Sequence, residues 1–137
     1  MEITEYLPSK LYDLKIQAEL MDEVAKLYVD DNNYTYRFKC KNSECPNGSI
    51  QMEEGHGRPY TKEDFDANKY ATLMRFRCLA FEPFDFEFGN GWTAETSKDG
   101  VTLLLPFNLT GGSQHITING KAAFVGGMEA IFDIVNE

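Results

Sequence analysis

The chain is poor in the residues and runs that announce a function most sharply. Only three cysteines occur in 137 residues, and they make no Cys-x-x-Cys pair. An odd, small number excludes the disulfide framework of a small secreted domain and implies reduced thiols. Two histidines, His56 and His115, are present. No Gly-x-Ser-x-Gly elbow accompanies them, so the usual serine-hydrolase signature is missing. Glycine-rich phosphate loops of either common spacing are also missing. No apolar run has the length of a membrane-spanning helix. Met1 to Lys10 carry Glu2 and Glu5 and lack the apolar stretch of a secretory signal. These absences lead us to expect a cytoplasmic protein, or a virion protein assembled in the host cytoplasm.

Positive charge is the next shortage. Lys and Arg number 13 against 22 Asp and Glu, a net charge of -9. General affinity for nucleic-acid backbones needs the opposite sign. Anionic membranes repel such a chain, and basic protein surfaces attract it. What the chain does have is enough apolar material for a core: 42% hydrophobic and 13% aromatic residues. At this length one β-rich domain over residues 1–137 is expected, with no need for covalent staples.

One helix is expected near the start. Leu11, Leu14, Ala18, Met21, Ala25 and Tyr28 recur at steps of three and four, which places them on one helical face over residues 9–29, with Ser9 as N-cap. A competing pattern runs through it, because Leu14, Ile16, Ala18 and Leu20 alternate as in a strand. The remainder reads as short strands separated by turns. Ile50 to Met52 is a short strand. Thr61 to Ala67 is a helical turn, with Thr61 as cap and Asp64 as the capping-box acid. Phe84, Phe86 and Phe88 alternate with Asp85 and Glu87, and Gly89-Asn90-Gly91 reads as a hairpin turn into Trp92 to Thr96. After the turn at Ser97 to Gly100 come Val101 to Phe107, where Pro106 implies a sheet edge or bulge. Gln114 to Ile118, Asn119-Gly120 and Lys121 to Val125 read as a further hairpin, and Gly111-Gly112 and Gly126-Gly127 as turn glycines. Residues 128–135 fit a short helix or a strand, and their β-branched content favours the strand. The expected architecture is therefore mainly β: an antiparallel sandwich or barrel of short strands with one N-terminal helix.

Two look-alike tetrapeptides, Arg-Phe-Lys-Cys at Arg37 to Cys40 and Arg-Phe-Arg-Cys at Arg75 to Cys78, stand out. Each alternates ring and sulfur with cations. As sister strands in one sheet, they would bury Phe38, Cys40, Phe76 and Cys78 and gather Arg37, Lys39, Lys41, Arg75 and Arg77 into a basic strip on the other face. That strip would be neutralised by Asp85, Glu87 or the Glu53-Glu54 loop, or would dock an acidic partner segment or a nucleic-acid strand. Cys40, Cys45, His56 and Cys78 are the ligand types tetrahedral zinc prefers, with a spacing of four between the first two. Buried thiols behaving as small hydrophobes are the competing account. A thiol–imidazole pair of Cys40 or Cys45 with His56 lacks local support. Asp85 and Glu87, about 7 Å apart along a strand, are at a glycosidase-like separation but on an outer face where charge is ordinary.

No catalytic set emerges, and no cofactor is expected beyond the zinc alternative. The expected function is a non-enzymatic β-rich assembly or protein-binding module, acting through a protein partner or self-association. A bacteriophage accessory or decoration protein is one form of it. An acidic inhibitor occupying a basic site on a nucleic-acid enzyme is the alternative, and a zinc-stabilised binding domain a further one.

Overall fold

The computed structural model of the chain describes residues 9–29, 34, 36–40, 49–53, 55–79, 82–98, 101–118 and 121–136. Its elements are β1 (Ser9–Asp22), β2 (Val24–Val29), β3 (Arg37–Cys40), β4 (Ser49–Glu53), β5 (Tyr60–Thr61), the single turn α1 (Lys62–Asp66), β6 (Ala71–Leu79), β7 (Pro83–Glu87), β8 (Asn90–Lys98), β9 (Val101–Asn108), β10 (Gln114–Ile118) and β11 (Lys121–Ile134). They form a five-stranded sheet β10-β11-β1-β6-β4, a four-stranded sheet β5-β2-β8-β9 and a two-stranded ribbon β3-β7. Every pairing is antiparallel. The fold is mainly β, as expected.

The N-terminal helix is not there. Residues 9–29 are two strands, and the alternating pattern prevails over the three-four pattern. Leu14, Ile16, Ala18 and Leu20 are all buried, whereas Met21, on the supposed helical face, is exposed. The reason is tertiary. β1 lies between β11 and β6, so both edges of its backbone find ladder partners from the far end and the middle of the chain. Helical preference is a weak local term that such pairing and burial override. At Glu23 the chain turns and crosses from the five-stranded to the four-stranded sheet. Buried side chains of both sheets, among them Leu14, Phe76 and Val125 on one and Leu27, Trp92 and Phe107 on the other, belong to one hydrophobic cluster.

Two glycine readings also change. Gly126 and Gly127 lie inside β11, where the register jumps from Gln17–Glu129 to Glu19–Gly126. This is a bulge. Gly127 has φ +54, and a Cβ there would approach Glu19 Cγ to 2.8 Å. Gly89 to Gly91 do not close a hairpin either. β7 pairs with β3, and β8 with β2 and β9, so this segment carries the chain from ribbon to sheet. The Phe88 carbonyl anchors the crossing, accepting hydrogen bonds from Tyr34 Oη at 2.5 Å and Trp92 Nε1 at 2.8 Å.

Other local readings hold. β8 and β9 form a hairpin, with Lys98 opposite Val101. β10 and β11 form another, with Ile118 opposite Lys121. Residues 128–134 are strand, and Pro106 lies on β9, an edge of its sheet. Thr61 caps α1 in a full capping box with Asp64.

Candidate functional site

The two sister strands do not share a sheet. β3 pairs with β7, while β6 lies between β1 and β4. Their phenylalanines meet instead across the interior, with the Phe38 and Phe76 ring centroids 4.8 Å apart. Burial of ring against ring was thus legible, but edge-to-edge pairing was not. Opposed inner faces send the two sets of cations to different surfaces. Lys39 Nζ lies 3.7 Å from Asp85 Oδ2 on the ribbon, and Arg37 stands opposite Glu87 in register. Arg75 makes a two-pronged contact with Asp13, Nε to Oδ1 at 2.7 Å and Nη2 to Oδ2 at 3.1 Å. Glu53 stands opposite Arg75 on β4. Arg77 donates to Ser9 Oγ at 3.2 Å. Lys41 lies outside the described residues. The structure therefore does not assemble Arg37, Lys39, Arg75 and Arg77 into one strip, and acids stand beside Arg37, Lys39 and Arg75.

The proposed zinc ligands are likewise divided. Cys78 is 1% exposed on the inner face of β6, and burial pushes its thiol up to about 12. Cys40 sits on β3 in another sheet, and His56 is exposed in the segment after β4. Cys45 and the Cys40 side chain lie outside the described residues. Among the described residues, no group of three or more His, Cys, Asp or Glu side chains is gathered as a metal would need. Asp85 and Glu87 are exposed, and Asp85 Oδ1 accepts the Phe86 amide hydrogen at 2.8 Å.

A concave feature of the surface lies away from the basic strip and the zinc set that the sequence suggested. β4 closes one side of the five-stranded sheet, with a ladder partner only in β6 among the described residues. Its Met52 is opposite Phe76 and its Ile50 opposite Cys78. Opposed residues in a ladder project to the same face, so Met52 and Ile50 belong to the inner face. Phe76 and Cys78 are covered there, yet Met52 is 51% exposed. The inner face is open at this edge. A cleft of about 650 Å³ results, lined by Met52, Leu73 and Met74 from the five-stranded sheet, by Tyr28 at the end of β2, and by Tyr34 and Tyr36 ahead of β3.

Glu53, Gly57, Arg58 and Pro59 shape its rim. Gly57 must be glycine: a Cβ would overlap the Leu73 carbonyl. The Arg58 amide bonds to the Thr72 carbonyl at 3.0 Å, holding this segment on β6 beyond the end of β4. The Arg58 guanidinium is engaged by Asp64, Nη1 to Oδ2 at 2.7 Å and Nη2 to Oδ1 at 2.8 Å. Those hydrogen bonds hold the Asp64 carboxyl down to about 2. Asp64 Oδ2 also accepts from the Thr61 amide at 3.0 Å. One carboxylate thus caps α1 and fixes the rim of the cleft. Tyr34, buried and bonded to Phe88, has its phenol pushed up by desolvation, so it contributes an uncharged ring wall. The site offers aromatic and thioether surface, a neutralised cation and Glu53. It contains no nucleophile–base pair.

No protein-family description matches the chain, and no curated protein matches it. Two solved structures are similar to it in fold. One is the crystal structure of C1orf123, with TM-score 0.75 and 17% identity over 91% of this chain and 99% of that one. The other is a hypothetical protein from Plasmodium falciparum, with TM-score 0.72 and 18% identity over 90% of this chain and 99% of that one. At such identities the likeness establishes a shared fold and nothing about function.

Proposed function

We propose that the chain is a non-enzymatic protein-binding module. Its cleft, beside the edge of β4 that has no ladder partner among the described residues, takes an extended segment of a partner that alternates apolar and basic residues. The observation that carries this reading is the continuity of the cleft with an edge strand. Strand addition supplies main-chain hydrogen bonds at an open edge, and neighbouring pockets read alternate side chains. Met52, Met74 and the tyrosines suit apolar side chains of several shapes, because thioethers adapt and rings give area at low entropic cost. The basic character of the partner is supported by the net charge of -9 and by Glu53 at the rim, with Arg58 already paired to Asp64. As part of this reading, the two larger sheets pack as an open sandwich, which their shared hydrophobic cluster supports.

The test is titration of the labelled-methionine protein with a short peptide alternating Lys or Arg with Leu or Phe. Binding should shift the methyl signals of Met52 and Met74, weaken as salt rises, and fall at least about tenfold in Met52→Asp, the effect of losing a central apolar contact. No shift at either methyl at millimolar peptide would refute the reading. Binding that is salt-sensitive but indifferent to Met52→Asp would instead favour the acidic-inhibitor alternative, which uses charge and needs no cleft. Recovery of the protein on a virus particle would narrow the module reading to a decoration role.

A further inference from the structure

The residues from Gly100 to Gly120 contain no Asp, Glu, Lys or Arg, in a chain where 26% of residues are charged. The fold places the two strands within it, β9 and β10, at two sheet edges. β9 is the last strand of the four-stranded sheet and β10 the last of the five-stranded sheet. Natural edge strands are commonly protected by charge, by bulges or by proline. β9 has no charge and carries Val101 at 52% and Leu104 at 62% exposure. Its one protection is Pro106, opposite Thr93 of β8.

Pro106 also reveals which groups β9 presents. Proline is accommodated in an edge strand when its nitrogen faces away from the ladder. Alternate residues of a strand direct their N–H and C=O to the same side, so Thr102 and Leu104 turn theirs to the open edge as Pro106 does. These two residues are one apart on either side of Leu103. A twofold axis through Leu103 would set Thr102 against Leu104 of the partner subunit, and the reverse, exchanging both backbone hydrogen bonds in each pair.

We propose that β9 is a self-association edge, and that its occupant is β9 of a second copy, joining two four-stranded sheets across the twofold. Charge selects this occupant. Two copies at -9 each repel over most of their surfaces. The uncharged edge of β9 is where they meet without acid opposing acid. The nearest acid on the neighbouring strand, Glu95, is opposite both Leu104 and Lys26, and it accepts a hydrogen bond from Tyr28 on the side away from β9. This inference is independent of the cleft, which lies at the β4 edge of the other sheet.

The experiment is sedimentation equilibrium of the full chain at low and high salt, over a wide concentration range. The expected result is a mass that rises from 15.6 kDa toward twice that value with concentration. Association should tighten severalfold as salt screens the mutual repulsion, the opposite salt response to binding of a basic peptide in the cleft. Leu104→Lys and Thr102→Pro should each leave a monomer, with Trp92 emission and unfolding midpoint retained, since both positions are exposed and neither removes a bond to β8. Met52→Asp should leave association unchanged. A monomer under all conditions, association that weakens with salt, or a dimer that survives in both folded β9 variants would each overturn the proposal.

Discussion

Replacing Asp64 by Asn keeps the shape of the side chain and removes its charge, which makes it a direct probe of how the cleft rim is held. In the folded chain the carboxyl titrates at about 2 against an ordinary 3.8, chiefly because two guanidinium hydrogen bonds favour its ionised form. Each unit of displacement corresponds to about 1.4 kcal/mol, giving roughly 2 kcal/mol in favour of the folded state. The Arg58 side chain is half exposed, so solvent screening reduces the figure to about 1–2 kcal/mol. For a chain of this length that is a fall of about 3–8 °C in Tm. The sign follows from the direction of the shift. A depressed carboxyl stabilises the fold fully above its unfolded value, and the contribution fades as pH falls from about 4 through about 2. Denaturant titration followed by the fluorescence of the single, buried Trp92 should therefore show Asp64→Asn less stable than the parent near neutrality. The gap should narrow as pH is lowered through that window, down to the lowest pH at which both chains fold. A difference below about 0.5 kcal/mol at neutrality, within the range of an ordinary surface change, would refute the reasoning. So would a gap that stays constant down through the window.

Further outcomes are expected. Gly57→Ala should destabilise the chain by about 2–3 kcal/mol, because backbone must move to admit the methyl group; urea unfolding measures it. Native Cys78 should resist iodoacetamide at mildly alkaline pH and react once the chain is unfolded, since its thiol is buried and pushed up to about 12; mass spectrometry of the alkylated peptide reports this. Trp92→Phe should cost about 1–2 kcal/mol by removing the indole donor to the Phe88 carbonyl while keeping most of the apolar volume, read by circular dichroism on thermal unfolding.

Features set by neighbours in the chain were open to reading. The capping box of Thr61 and Asp64 spans three residues, and its chemistry is the same wherever the turn lies. The β10–β11 hairpin follows from a short turn between two β-prone runs. Pro106 marked an edge because a missing amide hydrogen restricts any strand that contains it. Residues 9–29 were misread for the complementary reason. Their two periodicities conflict, and the ladders that decide between them come from residues 71–79 and 123–134 for β1 and from residues 60–61 and 92–96 for β2. Gly126 and Gly127 look like turn residues in isolation, and only the shift against β1 makes them a bulge.

The cleft was beyond the reach of sequence for a similar reason. Tyr28, Tyr34, Met52 and Met74 come from four separate segments and share no spacing. Asp64 could be identified as a cap, but nothing in the order of residues reveals that both of its oxygens also hold Arg58. The amino-acid sequence by itself determined the β-rich class, the β8–β9 and β10–β11 hairpins, the cap and the alternation that turns Phe38 and Phe76 inward, because each depends on local geometry or on a period of two. The tertiary structure alone decided which strands are neighbours, and with them which cations meet acids and which inner face stays open. Hydrogen-bond ladders are chemically alike from strand to strand, so their partners are chosen by how the whole core closes.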